Sequence, residues 1–317
     1  MVIEKLNEKY IEEAVKLAQA DYDMERKYVQ ALYDNDFKNE LTQCLIDAFK
    51  CKYGALALEN GKLKGFMGFL GPWDGHFGNV KGVFSPLFAN AFSGENRGKT
   101  ASRLFQHTSE EMVADGILSF AICTYSHNFD VTTSLTMNGF GVMCSDAIRK
   151  VDIPLNVEIN TDYFYEEIHY SEAGCLLKLK NSLVRHMRKS PAYLPCSELT
   201  EDEFKKLCNM NKSRFFIVKD RLEVLGYVEV TNDGETFISE APDMLNICGA
   251  YLDENYRGKN LFQSLLAFTL DKIKNNGVKY LGVDCETINP NAMRFWGKYF
   301  DSYTYSFHRR IDERIII

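Results

Sequence analysis

Apolar positions recur at helical spacing in two stretches of the chain. Leu104, Phe105, Thr108 and Met112 form one stripe, and Leu261, Phe262, Leu265, Phe268 and Ile273 form another. A period near 3.6 predicts two helices, each with one face for a sheet. Both stop at residues that accept left-handed backbone angles, Ala114-Asp115-Gly116 and Asn275-Asn276-Gly277. Short apolar runs follow at 117–124 and 278–284, and these read as buried strands. Asn60-Gly61 between apolar runs predicts a tight hairpin. Asp220-Arg221 sits in the same way between the apolar runs 215–218 and 222–230.

These landmarks repeat. Arg97-Gly98-Lys99 and Arg257-Gly258-Lys259 are 160 residues apart, as are the two hairpin turns, while Gly116 and Gly277, and Asn128 and Asn289, are 161 apart. Each half then reads as a short strand, a helical region, a hairpin, a further strand, the Arg-Gly-Lys turn, a helix, a strand and a final helix. The pattern predicts an α+β, mixed-sheet fold duplicated in tandem. One domain is expected over 1–152 and a second over 162–317. Pro154 and the Asn/Asp-containing stretch mark 153–161 as the linker, before a new strand begins at 163–165.

The length of 317 residues fits two such units. Hydrophobic residues at 45% and charged residues at 26% exclude disorder as the main state. Nine cysteines form an odd set without a C-x-x-C pair, which argues against a disulfide framework and a zinc knuckle. No apolar run approaches the length of a spanning helix, and Met1-Val2-Ile3-Glu4-Lys5 opens no secretory leader. A cytoplasmic home without a membrane partner is the expectation. A formal charge of −7 supplies no field for phosphate backbones, so nucleic acid is not expected as a partner.

The chemistry concentrates at the second turn. A strand at 247–252, a turn at 253–260 and a helix from Leu261 bring backbone N–H groups and a helix N-terminus to one point, which favours an anion. Arg257 and Lys259 add positive charge, and Gly258 lets a ligand approach the backbone. The run Tyr256-Arg257-Gly258-Lys259-Asn260-Leu261-Phe262, followed by Asn289-Pro290-Asn291-Ala292-Met293-Arg294-Phe295-Trp296, resembles the GNAT superfamily of N-acetyltransferases. That family carries Arg/Gln-x-x-Gly-x-Gly/Ala on the pyrophosphate turn and N-x-x-A-x-x-x-Y on a later helix.

The resemblance implies a tandem GNAT-like protein that uses acetyl-CoA as acyl donor. It places the pyrophosphate on Arg257, Gly258, Lys259, Asn260, Leu261 and Phe262, beside Asn289, and the pantetheine arm along a splayed strand at Ala250, Tyr251 and Leu252. Amides of those three strand residues would also meet the developing oxyanion. Departures are visible. Asn260 and Phe262 replace small residues in the second half, Thr100 and Ser102 replace both glycines in the first, and Val131 stands where the later helix has alanine. The cofactor is therefore expected mainly in the C-terminal domain, and whether the Arg97 turn also binds it is left open.

An alkylammonium acceptor must lose a proton before it attacks a thioester. Glu240 is the first candidate base and Glu286 the second. The tyrosine that the family often uses to protonate the thiolate aligns with Trp296 and Leu135, neither of which donates that proton. Tyr299, one helical turn beyond Trp296, is the candidate substitute. Cys285 on an apolar strand reads as packing, and the six histidines show no metal spacing, so no metal is expected. His127 beside Asn128 reads as structural or as a wall of the first-half cleft. The segment 71–78, rich in glycine and aromatics, reads as a hairpin connection, an inter-domain contact or a substrate loop.

Three readings follow. The first is an N-acyltransferase acting on a small-molecule or peptide amine. The second is a non-catalytic acyl-CoA-binding or regulatory protein, and the third a purely structural duplication. The sequence leaves the acceptor and the oligomeric state open.

Overall fold

The computed structural model describes residues 1–75 and 78–316. The chain begins with β1 (Val2–Lys5), α1 (Ile11–Glu25), α2 (Lys38–Phe49), β2 (Tyr53–Glu59), β3 (Lys62–Trp73), β4 (Lys81–Ser85) and β5 (Asn90–Phe92). It continues with α3 (Arg97–Ala114), β6 (Ile117–Tyr125), α4 (Phe129–Met137) and β7 (Gly141–Lys150). The second half holds β8 (Phe164–Ile168), α5 (Leu177–Arg188), α6 (Glu201–Asn211), β9 (Arg214–Asp220), β10 (Glu223–Thr231) and β11 (Met244–Leu252). It ends with α7 (Leu261–Asn275), β12 (Tyr280–Glu286), α8 (Pro290–Trp296), the two-residue β13 (Asp301–Ser302) and β14 (Thr304–Arg310).

Both hairpins form where the turn residues predict them. Asn60 and Gly61 have φ of 53° and 76°, the left-handed pair that a two-residue turn needs, and Glu59 faces Lys62 across it. Arg221 has φ of 48° in the turn from β9 to β10. The helical stripes also hold. Leu104, Phe105 and Met112 of α3 are buried against Phe69, Phe120 and Ile122, and Leu261, Leu265 and Ile273 of α7 against Val228, Ile247 and Leu281. Each fully buried Leu or Ile stabilises its unit by about 1.5–3 kcal/mol.

The chain divides into one unit of Met1–Asp146 together with the segment from Ser302 onward, and another of Ala147–Asp301. In the first, the strands run β1-β2-β3-β4-β6-β14, with β4 and β6 parallel. In the second they run β12-β11-β10-β9-β8, with β11 and β12 parallel. Helices α3 and α7 each make the crossover between the parallel pair of their unit.

Four sequence expectations change here. The boundaries 1–152 and 162–317 assign the last strand to the second half, whereas β14 pairs antiparallel with β6 from Thr304 opposite Tyr125 to Arg310 opposite Ser119. Strands after each final helix, β7 and β14, have no counterpart in the sequence reading. Their burial does not alternate cleanly, so period-two patterning does not mark them. Arg97-Gly98-Lys99 is the first turn of α3, not a turn preceding it. The strand expected at 278–284 runs Tyr280–Glu286, because Val278 still donates to the Ile273 carbonyl at the end of α7. Of the segment 71–78, His76 and Phe77 lie outside the described residues. Among the described residues no helix is long and apolar enough to cross a membrane.

Candidate active site

The site in the second unit begins with a defect in strand pairing. Opposite β10, Glu229 faces Gly249 but Val230 faces Ile247, so Cys248 is an extra residue that bulges β11. On its other side, β11 pairs with β12 from Met244 opposite Tyr280 only as far as Ile247 opposite Val283. Beyond that point β11 runs on to Leu252 and β12 to Glu286 without pairing each other. The parting leaves one backbone edge of β11 without a strand partner, the arrangement an extended ligand uses to add itself as a strand.

The turn after β11 carries the charge. Asp253 accepts from Asn255 N–H and opens a single 3-10 turn, and Arg257 follows in extended conformation. Gly258 then has φ of 76°, with open space where a Cβ would stand. Asn260 enters α7 in the left-handed region at 56° and places no side-chain cap on the helix. The first ladder bond of α7 runs from Ser264 N–H to the Asn260 carbonyl. The amides of Leu261, Phe262 and Gln263 therefore precede the ladder at an uncapped helix N-terminus. Asparagine tolerates the left-handed angle, so the turn keeps its shape without the glycine the family prefers. Arg257 is held at this mouth by its Nε–H to the Leu252 carbonyl (3.2 Å) and by its guanidinium over the Tyr251 ring (5.2 Å).

Turn and parted strands open on one cleft of about 380 Å³. Of the residues expected from the sequence, Ala250, Tyr251, Leu252, Arg257, Gly258, Leu261, Phe262 and Asn289 all line it. Lys259 does not. Its ammonium lies over the Tyr256 ring, and Asn260 serves as the bend of the turn rather than as wall. Phe262 stands edge-on to Phe295 (5.0 Å between centroids) and to Trp296 (6.0 Å), forming an aromatic wall instead of filling the cleft. Asn289 caps α8 by accepting from Ala292 N–H.

The catalytic candidates fare differently. Glu240 is exposed in the connection before β11 and is not part of the lining. Tyr299 also lies outside it, with its ring against Phe295 and its carbonyl accepting from Arg149. Glu286 at the end of β12 is raised by burial and by Glu235, and it too is absent from the lining. Burial pushes the Cys285 thiol up to about 12, which fits a packing role. What the sequence reading missed is α5. Leu183 and His186, one turn apart, line the cleft. No motif marks them, because helix spacing alone does not say which loop or strand a helix face meets.

The corresponding place in the first unit is closed. Strands β4 and β6 part after Ser85 opposite Ile122, and the Asn90 amide donates there to Ser85 Oγ, the Pro86 carbonyl and the Cys123 carbonyl. Arg97 turns inward to Asp21 of α1 at 2.8 Å, in a pair only 15% and 5% exposed. Gly98 N–H donates to the Asp130 carboxylate at 2.7 Å, and a Cβ on Gly98 would meet the Asp130 carbonyl oxygen at 2.3 Å. Beside Arg97 and Asp21 the space is about 10 Å³, room for one water at most. Asp21, Arg97, Tyr125 and His127 surround it, and His127 is bound at Nδ1 to Glu25 (2.7 Å) and stacked on Tyr28.

Residues 182–301 match the acetyltransferase (GNAT) family. Among solved structures, a GCN5-related N-acetyltransferase from Sphaerobacter thermophilus is similar over 98% of this chain and 95% of its own, with TM-score 0.60 and 11% identity. A tandem GNAT protein from the clavulanic acid biosynthesis pathway is similar over 98% and 97%, with TM-score 0.51 and 11% identity. The glucosamine N-acetyltransferase region of a fungal multi-domain β-N-acetylglucosaminidase covers 97% of this chain and 38% of that one, with TM-score 0.54 and 11% identity. At these identities the likeness is one of fold. No curated protein matches in sequence.

Proposed function

We propose that this chain, whose residues 182–301 match the acetyltransferase (GNAT) family, moves an acetyl group from acetyl-CoA to an amine in the second unit. The observation that carries the reading is the coincidence of an uncapped turn at Arg257–Gln263 with the gap between β11 and β12, both opening on one cleft. A diphosphate at the turn meets the amides of Gly258 and of the first turn of α7, with Arg257 beside them. Each such charge-assisted hydrogen bond contributes about 1.5–3 kcal/mol. From there a pantetheine arm follows the free edge of β11, which puts a thioester near the Cys248 bulge.

Chemistry in this site is mostly placement. The neutral amine nitrogen attacks the thioester carbonyl, and holding the two together supplies much of the acceleration. Backbone N–H groups of Ala250 and Leu252, which alternate with the β10-paired Tyr251 and so point to the open edge, are the donors for the developing oxyanion. The first unit takes no part in cofactor binding, since its own acids occupy the equivalent donors. Nine free cysteines, buried Cys285 among them, suit a reducing compartment such as the cytoplasm.

Calorimetric titration with acetyl-CoA tests the reading, with one site per chain expected. No binding, or two equal sites, contradicts it. Thiol release is then followed with a panel of ethylamine, lysine, spermidine and glucosamine, the last because one structural neighbour is described by that substrate. The second reading, an acyl-CoA-binding regulator, is favoured by Trp296 standing in the wall where a phenol is usual. Tight binding with no amine-dependent thiol release would establish it instead.

A further inference from the structure

We infer that His186 of α5 takes the proton from the attacking amine, an assignment that rests on acyl transfer in this cleft. Three side chains that ionise line the cleft: His186, Tyr251 and Arg257. Arginine keeps its charge at any physiological pH. Burial raises the Tyr251 phenol, which therefore holds its proton at neutral pH and does not accept another. Imidazole is the side chain that changes protonation between about pH 5 and 8.

The carboxylates are otherwise engaged or elsewhere. Glu229, on β10 next to the bulge, is bound to Lys180 at 2.8 Å and is 5% exposed. Glu240 and Glu286 are not in the lining.

Position supports the same choice. Helix α7 packs on the face of the sheet that carries Val228, Val230 and Ile247, whereas Leu179 of α5 packs with Tyr227 and Tyr251 on the other face. His186 thus reaches the cleft from the side opposite the turn and the aromatic wall, so an acceptor and a donor held by the turn approach each other between them. The end of α5 is fixed there, with Met187 Sδ 3.5 Å from the Asn289 amide. Among the described residues the ring nitrogens of His186 have no hydrogen-bond partner. Those of His127, His169 and His308 bind Glu25, Ser171 and Ser119. The charges facing this end of α5 are Arg185, paired with Glu198 (2.6 Å), and Arg188 on the helix, Lys189 at its cap, and Arg257 and Tyr251 across the cleft, with Glu254 beside Arg257 (3.9 Å).

One proton of the ammonium passes to His186. The freed lone pair forms the C–N bond, the C–S bond breaks with its electron pair on sulfur, and the second proton shed by nitrogen ends on that sulfur. Amide and free thiol result, and His186 returns its proton to water.

His186→Gln tests the assignment on the full chain, with acetyl-CoA affinity and kcat/KM against pH measured side by side. Affinity should stay within about threefold of wild type. The rate at pH 7.5 should fall by roughly 10²–10⁴-fold. The gap should narrow above about pH 10, where the amine deprotonates unaided. His186→Ala with added imidazole is the second variant, and recovery of rate with the imidazole concentration is expected. An unchanged pH profile, no imidazole rescue, or a rate within threefold of wild type overturns the assignment. So does a loss confined to acetyl-CoA affinity, which would make His186 part of the donor seat. A wild type that binds acetyl-CoA yet releases no thiol with any amine refutes acyl transfer itself and takes this assignment with it.

Discussion

Arg97 and Arg257 begin the same three letters, and the structure gives them opposite fates. Arg97 is buried against Asp21, and the amide that follows it is taken by Asp130. Arg257 is 39% exposed on its side chain, touches only a carbonyl, a ring face and a distant Glu254, and is followed by a glycine with nothing near it. The counterpart of Asp130, 161 residues on, is Asn291, which lines the open cleft and bonds Arg294. In the first unit a carboxylate on the later helix and one on the first helix take the donors that an anion would otherwise meet. A repeated motif records common geometry, and its neighbours decide whether a ligand or the protein itself uses it.

The largest effect expected from breaking this contrast belongs to the buried pair. Arg97→Ala leaves Asp21 without its cation at 5% exposure, and removal of one partner from such a pair costs about 3–5 kcal/mol. Chemical denaturation should show that loss with acetyl-CoA affinity unchanged. Arg257→Ala should do the reverse, weakening affinity roughly tenfold or more with little change in stability.

Nearly as large is a pH effect. Burial, set against the Arg97 charge, raises the Asp21 carboxyl from 3.8 to about 6. A carboxyl with a raised folded value opposes folding when ionised, so its penalty is full above pH 6. It is relieved as pH falls toward 4 and is constant below that. The shift corresponds to about 3 kcal/mol. Glu25, also raised by burial, acts in the same direction. Melting curves of wild type and Asp21→Asn should therefore converge or cross as pH drops from 7 to 4, with wild type gaining. Parallel curves would show that Asp21 is not strained.

Asn291→Asp carries the first unit's plug into the second. Acetyl-CoA affinity should fall by about 10–100-fold, or roughly 1.4–2.8 kcal/mol, by calorimetry. The two glycines differ in the same sense. Alanine in place of a helical glycine normally stabilises by about 0.5–1 kcal/mol. Gly98→Ala should instead destabilise by about 1–3 kcal/mol, because backbone of α4 lies 2.3 Å from the new Cβ. Gly258→Ala should cost about 1 kcal/mol, from its φ of 76° alone.

Local chemistry carried a good part of the architecture. The Asn60-Gly61 turn, the stripes of α3 and α7 and the glycines closing them are all short-range signals, set by backbone sterics and by one face of one helix. So was most of the second-unit seat, since a strand, a glycine turn and a helix start are consecutive in the chain. Non-consecutive relations were not legible in the same way. The return of β14 to β6, the capture of Arg97 by an acid 76 positions earlier, and the arrival of His186 beside β11 each join segments far apart along the chain.

Residue types and spacing determined that two related units form and that each starts a helix at or just after its Arg-Gly-Lys sequence. Packing of distant helices decided which helix start stays open and what faces it, because a charge in a cleft is answered by whatever group folding brings nearest, wherever that group lies in the sequence.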